Sequence, residues 1–294
     1  MCSSRFMCTV LALFCKVCLV YAADIDFSFH YYNDLYQSLK AEEKWQSIAD
    51  ISHKILLDNN LDHFSKSLVL NRLASSYFYL GDYENVLNSS MKALYHAKKS
   101  ASNVSQIRSL YLLSAAHRAL ATKKSFSNHK KKSLQFINHA LVLLDKQQPI
   151  QDCNFFIAGK VYFNAGALYQ DILQNNKKAI WYYEQALTMF NHSSDDYYRT
   201  AIRYIRCLLE SGEHNIAKIK MNQFSTNLCT KTGIHHRILK VRVYSKLGEF
   251  DKAYKIATEA LEQAKVKSMV REIDMLDILI QEITATQFIN NNLS

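Results

Sequence analysis

Proline and glycine are nearly missing: one proline and six glycines serve 294 residues. Hairpins and sandwiches use these residues at their turns, so the scarcity excludes a turn-rich β fold and favours helices. Beyond residue 22 no apolar run is long enough to cross a bilayer. Cysteine is scarce too. Of seven cysteines, Cys2, Cys8, Cys15 and Cys18 crowd the first 22 residues, leaving Cys153, Cys207 and Cys229. Three widely spaced thiols make no disulfide framework and suit small buried positions, although the sequence leaves one bridge open and does not choose its pair. Also missing are a phosphate-cradling glycine loop, an H-E-x-x-H pair and, after residue 22, a Cys-x-x-Cys.

The first 22 residues differ from the rest. Arg5 precedes an apolar stretch from Met7 to Val20, and Val20-Tyr21-Ala22 suits signal-peptidase cleavage after Ala22. Lys16 interrupts the stretch, which argues against a lasting membrane span. Residues 1–22 therefore read as an export signal, with an uncut N-terminal anchor as the alternative. Losing Arg5 and Lys16 lowers the formal charge from +10 to +8. The remaining cations are dispersed among acids, and no aromatic interleaving or motif points to nucleic acid.

A helical stripe recurs. Val86, Ser90, Ala93, Leu94 and Ala97 stand at i, i+4, i+7, i+8 and i+11, as do Ala253, Ala257, Ala260, Leu261 and Ala264. Ala179–Phe190 and Ser133–Leu144 repeat it, and Ala217 and Ile48 open imperfect copies. The anchors 48, 86, 133, 179, 217 and 253 are 38, 47, 46, 38 and 36 residues apart, the length of a helix, a turn and a second helix. Gly81, Gly212 and Gly248 each end a first helix, and Asp82, Glu213 or Glu249 opens the next. Small residues on the second helix let neighbouring pairs approach, while Tyr77, Tyr169, Leu208 and Tyr244 fill the remaining space.

The segments "LASSYFYLGDYENVLNSSMKAL" (73–94), "KVRVYSKLGEFDKAYKIATEAL" (240–261) and "AGALYQDILQNNKKAIWYYEQAL" (165–187) resemble the tetratricopeptide repeat, in the longer-helix form of exported bacterial sensor and scaffold proteins. The resemblance implies an all-α, right-handed α-solenoid of about six helix pairs over 26–290. A capping helix follows at 268–287, and the tail at 291–294 is expected to be disordered. It further implies a concave wall of first helices that binds a protein or peptide as scaffold or sensor; an exported effector or a peripheral membrane adaptor is the alternative, and a repeat-built enzyme the less favoured one. The missing motifs point to no catalysis, cofactor or metal.

Chemistry-bearing motifs are weak. Ser89-x-x-Lys92 and Lys231-Thr232-Gly233 are similar to elements of penicillin-recognising serine enzymes, but Ser89 falls inside a repeat helix and the second element joins two helices. His235 and His236 are adjacent, hence about 100° apart on a helix, and read as helix-start residues. Asn-x-Ser/Thr triplets start at Asn88, Asn103, Asn191 and Asn292. The basic run "NHKKKS" (128–133) reads as a solvated turn, with an anionic membrane surface as the alternative.

The sharpest signal is basic. Arg199, Arg203 and Arg206 stand at i, i+4 and i+7 on one first helix, and His235, Arg242 and Lys246 at i, i+7 and i+11 on the next. If both face the concave wall, their guanidiniums suit an acidic peptide. Nearer the front, Asn71, Ser75, Phe78 and Tyr79 should share that wall.

Overall fold

The computed structural model describes residues 29–58, 60–124, 127–147, 155–224 and 231–293. The expected signal at 1–22, Cys153 and Cys229 lie outside these residues. The described residues form helices and no strand. In chain order they are α1 (Phe29–Ala41), α2 (Trp45–Leu56), α3 (His63–Leu80), α4 (Tyr83–Lys99), α5 (Asn103–Lys124), α6 (Ser127–Asp145), α7 (Phe155–Asp171), α8 (Asn176–Met189), α9 (Asp195–Glu210), α10 (His214–Gln223), α11 (Lys231–Lys246), α12 (Phe250–Val266) and α13 (Val270–Leu293). They make six antiparallel pairs and a final single helix.

Local chemistry sets the corners. Gly81, Gly212 and Gly248 have φ of 79°, 79° and 74°, the left-handed region that terminates a helix without a Cβ clash. After Gly81 the next helix starts on a side-chain cap, Asp82 accepting from the Asn85 amide at 3.2 Å; Asn175 caps α8 likewise through the Lys178 amide at 3.0 Å, whereas Glu213 and Glu249 make no such side-chain bond.

The small-residue stripe is the buried face of each second helix. On α12, Ala253, Ala257, Ala260 and Ala264 are fully buried, as are Val86, Ser90, Ala93 and Ala97 on α4. The core is a chain of four clusters, each drawn from neighbouring pairs. No pair covers its own apolar face, so stability is shared along the stack.

First helices touch first helices: α3 packs on α5, α5 on α7, α7 on α9, α9 on α11 and α11 on α13. Successive second helices lack comparable contacts, so they splay and the stack curves with its first helices inside. The curl brings the front towards the middle. Arg199 on α9 lies 3.9 Å from Glu43 at the α1–α2 turn, and the Lys40 ammonium sits 5.3 Å from the Phe156 ring on α7.

Several expectations are corrected. The 231–233 motif begins α11 instead of joining two helices. Ser89, by contrast, lies inside α4, where its sequence context placed it, at 6% exposure. His236 is core rather than a helix-start polar residue, with its imidazole pushed down to about 4 first by burial and then by Lys240. The last helix continues past Gln287 to Leu293, so the 291–294 tail is helical up to that residue.

Candidate functional site

The inner wall carries its polar residues in two settings, one braced and one open. In the braced centre, Arg118 of α5 and Arg203 of α9 both reach Asp171 of α7, at 2.5 and 3.0 Å. Arg203 also donates to Gln170 Oε1 at 3.1 Å and to the Tyr183 hydroxyl at 3.3 Å, while Tyr183 donates to Gln170 at 2.9 Å. Burial works against the Arg203 charge, but Tyr183 and Asp171 outweigh it and raise its affinity for the proton. This network holds three first helices in register.

The open setting lies between α9, α11 and α13. A groove of about 910 Å³ is lined by Arg206, Arg242 and Lys246 on one side and by Met275, Ile278, Leu279 and Ile283 of α13 on the other. Arg206 and Arg242 are exposed and, like Lys246, make no hydrogen bond or ion pair among the described residues. Partial burial and the like charges of Arg203 and Arg242 hold the Arg206 guanidinium below its usual range. Glu210 and Glu282 also line the groove. The Ser245 hydroxyl there is buried without a hydrogen-bond partner among the described residues. Cations, one orphaned hydroxyl and an apolar ridge can take a chain that is acidic on one edge and apolar on the other.

The basic stripes thus meet only in part. Arg206, Arg242 and Lys246 line one groove. Arg203 is spent in the brace. Arg199 turns to Glu43 and Asp195, with its guanidinium 5.9 Å from the Tyr79 ring. His235 bonds to Glu272 at 2.9 Å. Asn71 is fully buried and ties α3 to α5, donating to the Ser105 carbonyl at 3.2 Å and accepting from the Ser109 hydroxyl at 2.9 Å. Ser75 donates back to the Asn71 carbonyl at 2.9 Å. Tyr79 is exposed but stacks on Trp45 at 4.0 Å, and Phe78 packs against Tyr83. Sequence reasoning missed the α13 wall and Ser245. The apolar residues Met275, Ile278, Leu279 and Ile283 within the cap helix were the available signal.

This paired stacking, with buried Ala stripes on the second helices and an inner wall of first helices, defines an α-solenoid of the tetratricopeptide-repeat fold. No family sequence model matches the chain, and no curated protein matches it in sequence. Its structure is similar to that of BtubC (BKLC) from P. vanneervenii, with 13% identity and a TM-score of 0.58 over 76% of this chain and 90% of that one. A Rap protein complexed with Competence and Sporulation Factor matches at 13% identity and a TM-score of 0.57, over 88% of this chain and 75% of that one. NprR in complex with its cognate peptide NprX matches at 14% and 0.55, over 99% of this chain and 85% of that one. These likenesses establish the fold.

Proposed function

We propose that the chain is an exported adaptor that binds an acidic, amphipathic peptide segment along its inner wall. The observation that carries this reading is the α9–α11–α13 groove, where three cations without a hydrogen bond or ion pair among the described residues share the lining with an apolar ridge. A protein that needed those charges only for solubility would leave them opposed by water on all sides, not by Met275, Ile278 and Leu279. The peptide complex of NprR, which has the same fold, supports the choice of ligand class. Export rests on residues 1–22, read as a signal or an N-terminal anchor. Binding replaces catalysis in this reading because the reactive-looking motifs are packed into helices.

The test is peptide display on the full chain beside an Arg206→Glu/Arg242→Glu variant. Wild type should enrich sequences combining Asp or Glu with large apolar residues. The variant should lose that enrichment while keeping its helical circular dichroism. Identical selections from both proteins reject the reading.

A further inference from the structure

The curl of the front pair over the inner wall gathers a second polar cluster, distinct from the α9–α11–α13 groove. Its residues come from α1, α3, α5, α7 and α9. The ammoniums of Lys40 and Lys160 lie on one Phe156 ring, each 5.3 Å from its centroid, although they belong to α1 and α7. Arg72 of α3 stacks over Tyr36 at 4.2 Å and is oriented by Asn33 at 2.6 Å. Arg72 is 8% exposed, and its Nε is buried with no partner. Arg108 of α5 is half-buried and makes no hydrogen bond or ion pair among the described residues. The hydroxyls of Tyr36, Tyr79 and Tyr111 likewise have no hydrogen-bond partner among them.

The charges do not balance. Among the described residues Lys40, Arg72, Arg108 and Lys160 gather with Asp196, which bonds to Lys160 at 2.5 Å, while Arg199 and Glu43 pair with each other at the edge. The excess is felt: burial, then the repulsion of Lys160, holds the Lys40 ammonium below its usual range. Burial and Arg108 likewise depress Arg72, against the opposing pull of Tyr32 and Tyr36. Mutually repelling cations at partly buried positions cost stability unless an anion joins them.

We propose that this cluster binds a compact, multiply charged phosphoryl anion. A single carboxylate would leave the site cationic, since Asp196 already supplies one negative charge and an excess remains. A phosphoryl group brings about two charges and several acceptor oxygens for guanidinium, ammonium and phenol donors. Glu43 and Arg199, 3.9 Å apart, tie the front turn to α9 beside the cluster, which favours a small soluble compound over a phosphorylated chain.

Calorimetric titration of the full chain with inorganic pyrophosphate should give saturable binding that weakens with added salt. Arg108→Ala breaks no hydrogen bond or ion pair among the described residues and should weaken binding about tenfold or more, the value of one charge-assisted hydrogen bond. Asp196→Asn should tighten it, because the competing carboxylate is gone. Circular dichroism of both variants should match wild type. A phosphoserine peptide should bind more weakly than pyrophosphate, and acetate should give no saturable heat. The proposal fails if pyrophosphate does not saturate the protein, if both variants bind as wild type does, or if acetate or the phosphopeptide binds at least as well. The Arg206→Glu/Arg242→Glu variant should bind pyrophosphate normally, which separates this outcome from failure of the peptide groove.

Discussion

The Arg203 guanidinium donates to Oδ1 of Asp171 at 3.0 Å, joining helices whose pairing partners differ. Arg118 takes the other oxygen at 2.5 Å, so one carboxylate compensates two cations with side-chain exposures of 25% and 11%. Removing it strands both. Asp171→Ala should cost about 3 kcal/mol, the lower end for breaking a buried pair because the site is not fully sealed. Urea denaturation checks this. Arg203→Met, which leaves Arg118 paired, should cost clearly less.

Gly166 on α7 faces the Tyr183 ring so closely that an added Cβ would lie 2.7 Å from it. Tyr183 cannot retreat, since it is fully buried and its hydroxyl is held by Gln170 and Arg203. In an open helix Gly→Ala stabilises by about 1 kcal/mol. Here Gly166→Ala should destabilise by about 1–3 kcal/mol through overpacking, and the reversed sign in a urea melt is the diagnostic.

The repeating architecture was legible because it is local. Gly81, Gly212 and Gly248 announced the corners, and the Ala stripes announced the buried face. The wall residues were only half legible, because i, i+4 and i+7 spacing says which residues share a face and not what meets them. Arg203 shares its face with Arg206, yet Asp171 intercepts it from a helix 32 positions earlier. Asn71 looked like a groove residue until Ser105 and Ser109, in the next pair, took its amide. The contact of Glu43 with Arg199 depends on superhelical curl accumulated over four pairs, which no single repeat encodes. His236 was misplaced for a simpler reason: the start of α11 precedes it by more than a turn.

Acid should loosen the stack. His117 and His129 place their Nδ1 atoms 2.7 Å apart, and His117 lies flat against Phe136. Burial, then the charges of His129 and Lys132, pushes His117 down to about 4, and burial pushes His236 to about 4 as well. Their folded-state values lie below the unfolded value of about 6.5, so the unfolded chain binds more protons in between. Stability is therefore fully present above pH of about 6.5 and is lost as pH falls towards 4, by no more than about 1.4 kcal/mol per pH unit for each imidazole. Urea midpoints between pH 7 and 5 should show this fall, and His117→Phe should flatten it. An unchanged slope would place its cause elsewhere.

Asn71 offers a direct test of its reassignment from wall to core. Asn71→Ala leaves the Ser105 carbonyl and the Ser109 hydroxyl short of a buried partner and should cost about 1–3 kcal/mol. Asn71→Asp should cost more, because a buried carboxylate next to the Ser105 carbonyl cannot donate to it. Both variants should retain peptide selection when folded, which a groove contact would not allow.

The apolar ridge of α13 separates recognition from simple charge attraction. Ile278 is 55% exposed, so Ile278→Asp removes little burial and should change stability by less than about 0.5 kcal/mol. In the groove, however, the new carboxylate sits across from Arg206, Arg242 and Lys246 and offers them an internal counter-charge. It also deletes the side chain against which an apolar ligand residue would pack. Peptide enrichment should fall as far as in the arginine double variant, while Ile278→Leu should preserve it. If Ile278→Asp selected the same acidic sequences as wild type, the cations alone would be sufficient and the ridge would have no part in binding.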